Sequence, residues 1–271
     1  MGGLITRRVM ATLRTLFCPK RVRLHNAVDQ AGKVDHPNLV KATDAGEDDG
    51  HHYLVMELLD GADLSKLGKQ HGQLPIAETC ELIRQAALGL QHAHEQGFVH
   101  RDIKPSNLML TPGQGSLPPS VKVLDLGLAI LSEPETKEPS ITSNGQLLGT
   151  FDYISPNQAS NSRDVDIRTD IYSLGTTMYR LLTGVPPFPY EKYRAVLSFL
   201  SALANDDIPP IQSHRPDIPP ELAVIVHHMV EKNREDRFST PQEVVEALTP
   251  FCDGANLAKL LPKDVAPLPK G

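Results

Sequence analysis

At 271 residues, with a formal net charge of −6, 40% hydrophobic and 22% charged side chains, the chain has the make-up of a globular protein with room for one large core or two small lobes. The acidic balance argues against nucleic acid or an anionic membrane surface as the main partner. No apolar run approaches the roughly 18–20 residues that a membrane span needs, and the Arg-bearing N-terminus lacks the apolar core and cleavage site of a signal peptide. Leu39 to Ala45 and Tyr53 to Leu59 read as β-strands, joined by a turn from Gly46 to His52. From Pro75 to Gln96, Leu82, Ala86, Leu90 and Ala93 form a helical stripe, and Gly97 supplies a stop. Short strands at Leu108–Leu110 and Val121–Leu124 bracket a Pro/Gly/Ser-rich turn, and 128–150 reads as a polar, mobile loop. Helices follow at Asp170–Leu182, within 190–204, at Glu221–Lys232 and at Pro241–Leu248. The last start is marked by the capping box Thr240-Pro241-Gln242-Glu243. The tail, 250–271, is expected to be disordered. Cys18, Cys80 and Cys252 are far apart and odd in number, which suits reduced thiols in a cytoplasmic protein.

Chemistry is concentrated in His100-Arg101-Asp102-Ile103-Lys104-Pro105-Ser106-Asn107, followed by Asp125-Leu126-Gly127 after a β-type run. These side chains can handle a hydroxyl, a phosphate and a metal ion. The pattern resembles the catalytic and metal-binding loops of protein kinases, H-R-D-x-x-x-x-N then D-F-G, with Lys104 the serine/threonine version. The resemblance runs from about residue 33 to 249, and its wording is most like the bacterial serine/threonine kinases. It implies an α+β, protein-kinase-like bilobal fold: a truncated β-rich N-lobe at 1–58 and a mainly helical C-lobe at 59–249.

By that resemblance the cofactors are ATP and Mg²⁺, and the partner is a protein with a serine or threonine acceptor. Asp102 would be the base, Lys104 would stabilise the transferring phosphoryl group, and Asn107 and Asp125 would be hard oxygen ligands for Mg²⁺. Met56 falls at the gatekeeper, and the backbones of Glu57 and Leu59 at the adenine edge. Asp63 falls at the ribose and Met109 at the floor of the adenine pocket. Gly149-Thr150, Tyr153 and Pro156 resemble the end of the activation segment. Asp170 matches the aspartate that braces the catalytic loop, and Arg237 the late structural arginine. Arg101 is positioned to pair with a phosphate on the loop, where Ser140, Thr142 and Ser143 are the candidate sites.

The pattern also breaks. The glycine-rich loop is not found; the strand-three motif falls on Ala11-Thr12-Leu13-Arg14, offering arginine for lysine; its glutamate partner falls on Ala27. Asn157 replaces the glutamate that normally pairs with the arginine matched by Arg237, and Leu126 replaces phenylalanine. An arginine fork is no conservative swap for an ammonium at a phosphate site. Two functions therefore stand side by side: a kinase, whose start could lie upstream, or a pseudokinase acting as a binding or scaffold module. The histidine pairs His51-His52 and His227-His228 read as solvated turn and helix residues. His92 and His94 point apart on a helix and are not expected to share a metal.

Overall fold

The computed structural model describes residues 9–12, 35–48, 51–113, 117–125, 151–161, 165–193 and 195–262. Strands β1 (Val9–Thr12), β2 (Ala42–Asp48) and β3 (His51–Met56) pair antiparallel in the order β1-β3-β2. The apolar, β-prone run of β3 takes the centre, where a strand must pair on both edges. Ala11 and Thr12 stand opposite Leu54 and Tyr53. Arg14 and Ala27 lie outside the described residues, as do Cys18, Leu126, Gly127, Ser140, Thr142, Ser143, Gly149 and Thr150.

The first sheet is shifted from its expected limits. Leu39 makes only an isolated parallel bridge to Val123, and Val40 N–H bonds the Val123 carbonyl at 2.9 Å. That short stretch is thus tied to the larger lobe, and β2 begins three residues later. β3 starts earlier and ends at Met56, because the Glu57 N–H turns to the Lys41 carbonyl at 2.9 Å. Both strands extend into the range 46–52 expected as a turn, and Asp48 pairs with His51.

The second sheet orders β4 (Ala62–Asp63), β5 (Leu108–Thr111) and β6 (Ser120–Val123). The 100–107 loop leads into β5, and segment 57–61 leads into β4. Helix α1 (Leu64–His71) follows β4 directly, with the Asp63 carboxylate accepting from Lys66 N–H as its N-cap.

Helices α2 (Ile76–Glu95) and α4 (Ile167–Thr183) form the centre of the larger lobe. Leu82, Ala86, Leu90 and Ala93 of α2 are all buried, as their spacing predicts. The helix ends where Gly97 takes a left-handed φ of +82° and donates to the His94 carbonyl. Between them in sequence lies the short α3 (Pro156–Ser160), capped by Ser155.

Helix α4 starts at Ile167 rather than Asp170 because Asp166 accepts from Arg168 N–H at 2.8 Å and so caps it. Its residues are almost all buried, polar ones included, and it packs against α1, α2 and α6 (Pro220–Met229), while α7 (Pro241–Leu248) packs on α2 and α5 (Val196–Asn205) on α3. Its Gly175 is a close-approach position: a Cβ there would lie 2.7 Å from side-chain atoms of Met229 and Val230. Half of the expected capping box of α7 is present, with Thr240 Oγ1 accepting from Glu243 N–H, while the Glu243 carboxylate accepts from Ser239 N–H, one residue before the cap.

The expectation of a disordered tail from 250 is overturned for 250–262. Short 3-10 turns at Thr249–Phe251 and Leu257–Leu260 fold back, and Leu257 and Leu260 are buried in the core. Their apolar area offsets the entropy of ordering a proline-bearing segment. Among the described residues, no helix is long and apolar enough to cross a membrane.

Candidate active site

The site is assembled around a buried carboxylate. Asp170, on the first turns of α4, accepts from His100 N–H and Arg101 N–H, both at 2.7 Å. It has no exposed surface. Burial pushes its acid group above the ordinary value, while His100 and the two N–H groups pull the other way. These two bonds pin the chain where Arg101 adopts a left-handed φ of +67°, a conformation an arginine does not choose unaided. Gln158 Nε2 adds a bond to the Arg101 carbonyl at 2.8 Å.

His100 links this loop to the strand end that carries the second acidic residue. Its Nε2 lies 2.6 Å from the Leu124 carbonyl, and its Nδ1 accepts from Asp102 N–H. The first bond requires a proton on Nε2 and the second a bare Nδ1, so the neutral imidazole satisfies both. Leu124 N–H bonds the Asn107 carbonyl at 2.8 Å, closing a ring of backbone contacts beneath the site. Asp125, the next residue, is also left-handed, with φ +60°.

The polar side chains converge on Asp102. Lys104 Nζ donates to both its oxygens, at 2.9 and 2.7 Å, and Asn107 Nδ2 donates to Oδ2 at 3.1 Å and to its carbonyl at 2.8 Å. With Nδ2 so used, Oδ1 of Asn107 is the atom left to face a cation. Burial raises the pKa of Asp125 above the usual carboxylate value; His100 and Lys104 oppose the shift and Asp102 adds to it. Asp125 is thus electrostatically coupled to the same cluster, and it is a carboxylate that a bound cation would relieve. One carboxylate and one amide oxygen fit a hard divalent ion that takes its remaining ligands from phosphate and water.

The other expected positions are laid out along the adjoining strands. Met56 ends β3, half-buried, and Glu57 to Leu59 follow outside any strand ladder. The Glu57 side chain accepts from Lys41 N–H at 3.0 Å and from Lys122 Nζ at 2.9 Å, which fixes the start of segment 57–61. Asp63 and Met109 are direct cross-strand partners on β4 and β5. The Asp63 carboxylate is already engaged by Lys66, both N–H and Nζ, the latter at 2.9 Å. Its capping duty went unnoticed in the sequence, although an aspartate just before Leu-Ser-Lys is an ordinary cap signal. Gln158 and Lys122 were also missed; a lone glutamine or lysine carries no such signal. The nearby Arg237 is buried and donates to Asn157 Oδ1 at 3.1 Å.

Comparison with known proteins agrees with this geometry. A protein kinase domain model matches residues 20–248. The serine/threonine-protein kinase PknB of Mycobacterium leprae is 34% identical over 227 residues, covering 82% of this chain and 35% of its own. Pkn3 of Myxococcus xanthus, another serine/threonine-protein kinase, is 32% identical over 235 residues, covering 84% of this chain and 42% of its own. A relative named tyrosine-protein kinase MasK, also from Myxococcus xanthus, is 37% identical over 233 residues, covering 82% and 34%. The chain belongs to the protein kinase family, in the company of bacterial serine/threonine kinases. It spans about a third of the length of the PknB relative.

Proposed function

We propose that the chain is a serine/threonine protein kinase module that transfers the γ-phosphate of ATP to a protein hydroxyl. The observation that carries this reading is the contact of Lys104 and Asn107 with Asp102 on a loop held by Asp170. Phosphoryl transfer needs positioned groups and charge neutralisation more than covalent chemistry, and this cluster supplies both. Asp102 accepts the proton of the acceptor hydroxyl, and Lys104 offsets the charge that develops on the phosphoryl oxygens. Asn107 Oδ1 and Asp125 would hold Mg²⁺, which would supply charge neutralisation for the phosphates. Met56, the Glu57 and Leu59 backbones and Met109 enclose the adenine, and Asp63 meets the ribose by releasing Lys66. The Ser/Thr assignment rests on Lys104 and on the relatives' names.

A second reading is favoured by Ala27 and Arg14, which leave the usual lysine–glutamate pair unfilled in the alignment. It is a pseudokinase that binds nucleotide weakly and serves as a scaffold. Titration calorimetry with ATP, with and without Mg²⁺, tests the nucleotide site shared by both readings. Mg²⁺-dependent binding that Asp125→Ala abolishes is expected; tight binding that ignores both the metal and the substitution would refute the metal assignment.

A further inference from the structure

Directly beside the catalytic loop the surface sinks into a cavity of about 220 Å³. Leu64 and Gly68 of α1, Tyr153, and Arg180 from the last turn of α4 are among the residues that line it. Pro105 borders it too, and Pro105 follows Lys104, whose amine grips Asp102. An acceptor polypeptide that places its hydroxyl at Asp102 therefore passes this opening.

The charges around the cavity are not equivalent. Lys69 and Glu191 are exposed, so water and salt screen both. Asp152 is half-buried and already committed, accepting from Tyr190 N–H at 2.7 Å. Burial raises the Asp152 carboxyl above its usual pKa and pushes the Tyr153 hydroxyl up to about 12. Arg180 differs from all of these. It is half-buried and lowers the cost of charging Asp152, yet its guanidinium makes no hydrogen bond or ion pair with any described residue. The C-terminal end of α4 favours a cation there without consuming its donors. A guanidinium offers five N–H groups in a fork matched to carboxylate and phosphate oxygens, and a partly desolvated fork with unused donors is a receptor for such an anion.

We propose that this cavity is a specificity subsite in which Arg180 selects an anionic side chain, carboxylate or phosphate, within a few residues of the acceptor hydroxyl. The proposal rests on the kinase reading only in placing an acceptor chain across Asp102; the binding chemistry stands on the cavity itself. Acceptors with lysine or arginine at that position meet a like charge and are disfavoured.

The test is a fluorescence-anisotropy titration of the full chain with one serine peptide made in four forms. The flanking positions carry glutamate, phosphoserine, alanine or lysine, and the protein is wild type, Arg180→Ala, Arg180→Lys or Arg180→Glu. Glutamate and phosphoserine peptides should bind about tenfold more tightly than the lysine peptide, the worth of one charge-assisted contact. Arg180→Ala should erase the difference, Arg180→Lys retain part of it, and Arg180→Glu reverse it. A phosphoserine peptide well ahead of the glutamate one identifies a previously phosphorylated acceptor; equal affinities identify an acidic one. Equal binding of all four peptides, an order indifferent to Arg180→Glu, or no binding at millimolar peptide would overturn the proposal. Thermal melting of each variant checks that it is folded. Transfer from labelled ATP is read separately, so loss of the kinase reading would show there while the peptide ranking reports on the subsite alone.

Discussion

Asn157 Oδ1 accepts a hydrogen bond from Arg237 Nη1 at 3.1 Å, a neutral acceptor facing a buried cation. The guanidinium spends its other donors on the carbonyls of Glu231, Lys232 and Arg168, and lies 4.7 Å from the Tyr172 ring centre. Burial pulls Arg237 down to about 10, because carbonyls and a ring compensate a charge less well than a carboxylate does. Asn157 also donates to Thr169 Oγ1, so it joins α3 to α4 as well.

Asn157→Glu should therefore stabilise the fold by about 1 kcal/mol, since a charged acceptor roughly doubles the strength of the bond, less the lost Thr169 contact. Arg237→Ala should cost about 2–4 kcal/mol, because it empties a buried site and leaves three part-buried carbonyls and Asn157 Oδ1 without their donor. Urea-unfolding midpoints read both. A lower midpoint for Asn157→Glu would show that the neutral pair is the better fit here.

His227 Nε2 accepts from Ile211 N–H at 3.2 Å, a role open only to the neutral ring. Burial holds its pKa below the ordinary 6.5, with Glu231 opposing. A base whose folded pKa is depressed contributes stability above its unfolded pKa and loses it as pH falls through the folded one. The melting temperature should thus decline as the pH drops below 6.5, and less steeply in His227→Gln. His36, stacked on His92 with ring centres 5.1 Å apart, shifts the same way through burial, then His92 and Lys122, so part of the slope will remain. An unchanged slope in His227→Gln would remove His227 from the account.

Leu260 is 2% exposed and seated in the core although it lies in the tail. Leu260→Ala should cost about 2–4 kcal/mol, as for other buried leucines, and ending the chain at Phe251 should cost more. A truncated chain as stable as the full one would show that the tail merely rests on the surface.

That tail illustrates which parts of the structure were legible in advance. The polar cluster at 100–107 stood out because its side-chain types recur at a motif's spacing, and Asp102, Lys104 and Asn107 do contact one another. The α2 stripe was readable because four apolar residues repeat with the helical period. The tail was not, because Leu257, Leu260 and Leu261 span barely one turn, too short a run to carry a period, and only the core beneath them makes burial favourable. Helix α1 escaped notice because Leu64 and Leu67 are its only buried residues and Gly68 interrupts it. The early start of α4 was hidden because Asp166 is one of several aspartates there, and the cap is chosen by tertiary packing.

The central claim is that the Asp102 cluster performs phosphoryl transfer. Its most direct test is transfer of labelled phosphate from ATP to a generic basic protein, to an acidic one and to the chain itself, comparing wild type with Asp102→Asn. With Asp102 as the proposed base, the substitution leaves Asp125 and segment 57–61 intact, so transfer should be lost while Mg²⁺-dependent ATP binding stays within about twofold. Wild-type transfer that survives Asp102→Asn undiminished would contradict the account.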